Sequence, residues 1–108
     1  MNAGTNINGA AYDFQKWRLW LELRGKDLLA EGYKIKYAFS DMYNSPKTNL
    51  GASSDNTIGD FTSWAEGYCD FEVLDTKSGE RLVNEMGLIL DDSIFEATFE
   101  DFRRHLRL

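Results

Sequence analysis

The chain has 108 residues, 43% of them hydrophobic and 14% aromatic, with a formal charge of −6. Such a length is expected to form one domain, 1–108, that buries about two-thirds of its unfolded surface. No run approaches the ~18 to 20 apolar residues of a membrane span, and residues 1–10 lack the basic and apolar regions of a signal peptide. Cys69 is the single cysteine, which excludes an intramolecular disulfide and points to the cytoplasm.

Met1 to Gly9 is polar, and fraying is expected there. From Ala11 to Glu31, Phe14, Trp17, Leu21 and Leu28 fall on one helical face, with Gly32 placed as a C-terminal cap. Trp17, Leu19, Leu21 and Leu23 also alternate with polar neighbours, the pattern of a strand. The ~20-residue length and the wealth of Leu, Arg, Lys and Glu without Val, Ile or Thr favour a helix. It leaves Leu19 and Leu23 off the main face, open to a second cover such as another copy of the chain.

Tyr33 to Tyr43 alternates as a strand, with Tyr33, Ile35, Tyr37 and Phe39 on one side. Asn44 to Asn56 holds the only proline, Pro46, with Gly51 and several Ser and Asn, and reads as a surface loop. Thr57 to Ala65 reads as a second strand. Tyr68 to Leu74 is a third, with Cys69, Phe71 and Val73 turned inward and Tyr68, Asp70 and Glu72 outward. Asp75 to Gly79 is a polar turn, and Arg81 to Leu90 returns antiparallel. In the last element Ser93 stands three residues before Glu96, the spacing of a capping box. Phe95, Phe99, Phe102 and Leu106 then form one apolar stripe. The expected fold is α+β: an N-terminal helix, a four-stranded antiparallel sheet and a C-terminal helix. Both helices pack on one sheet face and the other face stays open.

Charge is unevenly spread. Residues 55–101 carry thirteen Asp or Glu against Lys77 and Arg81 alone, a net −11, while residues 1–54 are net +2 and residues 102–108 net +3. A folded surface this acidic repels nucleic acid and membranes and attracts basic partners. Catalytic signatures are weak. His105 stands beside Arg104 without an organised partner, and Cys69 has no basic neighbour and packs inward. Neither zinc nor calcium spacing occurs, nor a phosphate-binding glycine loop, so no metal and no cofactor is expected. The candidate site is therefore a partner-binding surface: Asp70, Glu72 and Tyr68, with Asp60, Trp64 and Glu66 on the same outward parity. For Trp64 a place in the core is the stronger expectation, because a bulge at Gly67 turns it inward.

The stretch Trp64, Glu66, Gly67, Cys69, Asp70, Glu72, Val73 and Asp75, closed by Thr76 and Gly79-Glu80, resembles the TriTu family of bacterial immunity proteins. That resemblance implies a small α+β protein without enzymatic activity that binds and silences a cognate toxin. The setting it implies is cytoplasmic, in contact-dependent growth inhibition or another polymorphic toxin system. The usual target is a C-terminal toxin domain, often a nuclease with a basic cleft, and the free protein is expected as a monomer or weak dimer. An acidic adaptor or structural domain without a toxin, and a small enzyme of unknown reaction, are the competing readings.

Overall fold

The computed structural model describes residues 4–108. It is an α+β structure of two helices, a five-stranded antiparallel sheet and a small two-stranded one. The short strands β1 (Gly4–Thr5) and β2 (Ala11–Tyr12) pair with each other, and helix α1 spans Phe14–Glu31. The large sheet follows as β3 (Lys34–Ser40), β4 (Lys47–Ser53), β5 (Thr57–Trp64), β6 (Tyr68–Asp75) and β7 (Arg81–Ile89), and helix α2 spans Phe95–Arg103. The five strands pair in chain order.

Helix α1 buries Phe14, Trp17, Leu21, Gly25 and Leu28, the face expected from its spacing. Asp13 caps its start by accepting from the Lys16 N–H. Gly32, in the left-handed conformation at φ +118°, ends it. The absent side chain at Gly25 lets the helix lie close on the sheet, because a Cβ there would sit 3.1 Å from Leu50 Cδ1. Leu19 and Leu23 remain half exposed.

In α2, Phe95, Phe99 and Phe102 are buried, and Leu106 continues the stripe beyond the helix end. The expected capping box does not form. The helix begins at Phe95, and the Asp91 carboxylate instead accepts from the N–H groups of Ser93 and Ile94. Both helices cover the same sheet face, α1 over β3 and β4 and α2 over β5 and β6. Phe61 of β5 touches Phe71, Phe95, Phe99 and Phe102 at ring separations of 5.4–6.0 Å.

Two further sequence expectations need correction here. Asn44 to Asn56 is not a loop, since Lys47–Ser53 forms β4, paired along its whole length with both β3 and β5, and the sheet has five strands rather than four. Thr48, Leu50 and Ala52 alternate inward, and the Thr48 hydroxyl is satisfied in the core by Ser63 at 2.8 Å. The second correction concerns fraying over residues 1–9. Residues 1–3 lie outside the described residues, but from Gly4 onward the segment is tied down. Asn6 is buried, and its side chain donates to the Leu90 carbonyl and accepts from the N–H groups of Asn8 and Ala10.

Asn6 rests on Gly67 of the β5–β6 turn. Gly67 has φ +95°, and a Cβ there would fall 2.2 Å from Asn6 Cβ. Gly79 also has positive φ, but nothing lies within 4 Å of its would-be Cβ. Gly79→Ala should therefore cost about 1 kcal/mol, and Gly67→Ala clearly more. Removing residues 1–9 from the Gly67→Ala chain should recover part of the loss, and equal melting temperatures for the two alanine variants would contradict the contact. Phe99→Ala, which empties the centre of the aromatic cluster, should destabilise by about 3–5 kcal/mol in denaturant unfolding.

Candidate functional site

Because both helices occupy one face of the sheet, the outward-pointing residues of five strands make a broad open face. The register fixes its rows. Lys36 lies opposite Gly51, Gly51 opposite Asp60, and Asp60 opposite Glu72. In the next row Asn49 lies opposite Thr62 and Thr62 opposite Asp70, and at one end Lys47 opposes Trp64, which opposes Tyr68.

All six residues singled out from the sequence lie on this half of the sheet or at its rim. Asp60, Asp70 and Glu72 surround a shallow dent of about 230 Å³, completed by Thr62 and the exposed Met86. Asp60 accepts from the Asn49 amide at 2.7 Å, and Asp70 accepts from the Gly87 N–H at 2.7 Å. Glu72 has Arg81 Nε at 3.6 Å, an exposed and weak pair. Trp64 is not in the core. The three-residue turn puts its reversal into Gly67, so the strand parity survives. Trp64 stays half-buried on the open face, stacked on Tyr68 at 4.7 Å and 12° with Lys47 Nζ 6.0 Å from its ring. Glu66 stands apart in the turn, accepting from the Ser45 hydroxyl.

The acidic count over residues 55–101 overstates this patch, because many of those carboxylates hold the fold. Asp92 accepts from Trp17 Nε1 and the Asp13 N–H, both at 2.8 Å. The Arg103 guanidinium bonded to Glu100 holds that carboxyl below its usual range, and Asp101 pairs with Arg104. Hydrogen bonds from the Ser78 and Lys77 N–H groups lower Asp75, and those from Ser93, its hydroxyl foremost, lower Asp91. Sequence reasoning missed the other half of the face. Lys34 and Lys36 of β3 and Lys47 of β4 project from it, and none is ion-paired among the described residues. The outward parity of Lys34 and Lys36 was readable, but reading β4 as a loop cut the register that joins them to the carboxylates.

A groove of about 500 Å³ runs on the opposite side between the helices, floored by Trp20, Leu28 and Phe99 and rimmed by Arg24, Glu96 and Arg103. Nothing in either place assembles a nucleophile with a base. Cys69 is buried, and His105 Nδ1 lies 2.7 Å from the Asp101 carbonyl. No group of three or more His, Cys, Asp or Glu able to hold a metal occurs among the described residues. No helix among them is long and apolar enough to cross a membrane.

The family profile described as Immunity protein TriTu matches residues 15–105. The chain belongs to this family of immunity proteins. No curated protein and no solved structure gives a significant match. An immunity protein neutralises a toxin, so a cognate toxin is the partner the family implies. The matched span takes in nearly all of α1, the five-stranded sheet and α2, and with them every residue of the open face. The β1–β2 hairpin lies before it.

In this immunity protein Cys69 behaves as a small core residue. Burial, then the nearby Asp70 and Glu85 charges, push its thiol up to about 12 from an ordinary 9.0. Burial also raises the Tyr12 phenol. Both groups are held neutral by folding and ionise more readily in the unfolded chain. For Cys69 the contribution to stability is therefore full below about pH 9 and is lost as the pH rises toward 12. Native protein should react with a thiol reagent at pH 8 only as fast as it opens, while unfolded protein reacts at once. Rapid labelling of the folded chain would contradict the burial.

Proposed function

We propose that the β5–β6 half of the open face is the surface that docks the toxin, through Asp60, Asp70 and Glu72 with Trp64, Glu66 and Tyr68 at its end. The toxin in this reading is a basic C-terminal nuclease domain, and docking occludes its substrate cleft. The observation that carries the reading is the dent itself: three carboxylates around one concavity, none in a strong ion pair, beside a stacked Trp–Tyr pair. A nuclease cleft built to hold phosphates presents Lys and Arg. One such side chain entering the dent replaces water with carboxylates, and the aromatic pair supplies the apolar anchor that fixes orientation.

The protein is then an inhibitor with no catalytic activity of its own, working in the cytoplasm within a contact-dependent growth inhibition or related system. It needs neither cofactor nor nucleic acid, and it requires no chemistry from Cys69 or His105. Like charges on protein and nucleic acid keep the antidote off the toxin's substrate, while the toxin's own basic cleft attracts it.

The test is binding of the toxin domain encoded by the adjacent upstream gene. The parent on-rate should fall steeply between low and high salt, as steered association does. Asp60→Asn combined with Glu72→Lys should weaken binding by at least about tenfold, mostly through a slower on-rate, with the melting temperature nearly unchanged. Unchanged affinity in that folded double variant would move the interface away from this face, toward the groove between the helices.

A further inference from the structure

The open face is divided by charge along a line parallel to its strands. Lys34, Lys36 and Lys47 stand on β3 and β4, and Asp60, Asp70 and Glu72 on β5 and β6. Such a face is complementary to a copy of itself in one orientation. A two-fold axis parallel to the strands, passing between β4 and β5, exchanges β3 with β6 and β4 with β5 and keeps position along the strands. A two-fold axis across the strands would instead lay lysines on lysines and carboxylates on carboxylates.

We propose that the free immunity protein pairs with a second copy of itself, open face to open face, about the strand-parallel axis. The register then sets the contacts. Lys36 comes opposite Glu72 of the second copy, and bare Gly51 opposite its Asp60, since all four lie in one row. Lys47 comes opposite Trp64 of the second copy, in the row at the end of the face. The symmetry makes every contact twice. Two-fold pairing also fills the concavity of about 440 Å³ that Gly51 leaves between Lys36 and Asp60.

The size of the face sets the strength. The four strands that overlap about this axis, β3 to β6, lie about 4.8 Å apart and are about seven residues long at about 3.3 Å each, which gives roughly 440 Å² per copy. The total of about 890 Å² is below that of stable specific complexes and in the range of weak, transient ones, so the pair should be weak and reversible. It covers the surface assigned above to the toxin, so toxin and second copy compete. That competition alone rests on the toxin reading; the pairing stands on the charge pattern and the register.

Sedimentation velocity of the full chain, from low micromolar to millimolar concentration, tests the pairing. The parent should show a reversible monomer–dimer equilibrium that weakens with salt. Lys36→Glu alone and Glu72→Lys alone should each weaken it by about tenfold or more, and the two together should restore it toward the parent. Restoration also excludes misfolding as the cause of either single effect. A parent that stays monomeric throughout, a dimer indifferent to both single changes, or a double variant no better than the singles overturns the proposal. Toxin binding separates the two ideas: Glu72→Lys should weaken it, and adding Lys36→Glu should not restore it, because the toxin does not carry Lys36.

Discussion

The architecture depends on a seam between the two helices rather than on either helix alone. Trp17 of α1 stacks on Phe95 at 4.5 Å and 7°, and Trp20 meets Phe95 and Phe99 edge-on. Phe61 lies beneath, on the sheet. Large aromatic rings carry most of the burial energy of a small core, but the Trp17 indole N–H needs a partner when its ring is packed. Asp92 provides it and also accepts from the backbone at the start of α1, so one carboxylate fastens the N-terminal ends of both helices. Once the seam closes, one sheet face is fully used. The other must face water or a partner, and the outward positions of β3 to β6 are accordingly mostly polar and charged.

That division of labour also explains how the charges are spent. Every ion pair among the described residues uses arginine. The planar guanidinium suits fixed, forked pairing, as at Arg103 with Glu100, whereas lysine is a hydrated point charge on a flexible stem. Arginines therefore fasten the helix surfaces and the chain end, and the three lysines of the open face remain solvated. Carboxylates divide in the same way. Those near α2 and the β6–β7 turn serve the fold, and those of the sheet are left with light, neutral partners or one distant arginine. A carboxylate without a tight internal ion pair has none to break when a partner's cation replaces its water.

Much of this was legible in the sequence where an element is long or strictly periodic. The buried face of α1, the Phe95–Leu106 stripe and the alternation of β6 were readable because burial there follows spacing alone. Strand β4 was not, since its inward residues are Thr48, Leu50 and Ala52 and its outward ones, after Lys47, are Asn, Gly and Ser, a composition that punctuates loops. What makes it a strand is non-local: the hydroxyl pair of Thr48 with Ser63 and a neighbour on each side. The candidate site inherits that gap. Its acidic half lies within one hairpin and could be read, but its basic half joins only through β4.

Trp64 shows how a single glycine decides what a surface presents. Had the β5–β6 turn slipped by one residue, Trp64 would have gone to the core and its neighbours outward, because one residue of slip exchanges the two faces of a strand. Gly67 absorbs the reversal at positive φ, and Trp64 and Tyr68 meet as a direct cross-strand pair. Asn6 then presses on the same glycine and bonds to Leu90 at the end of β7, so the turn is held from outside the family span as well as within it. The turn's conformation requires glycine with or without the hairpin. The hairpin exploits a bare backbone already present, and the effect is to stiffen the end of the open face where its aromatic pair stands.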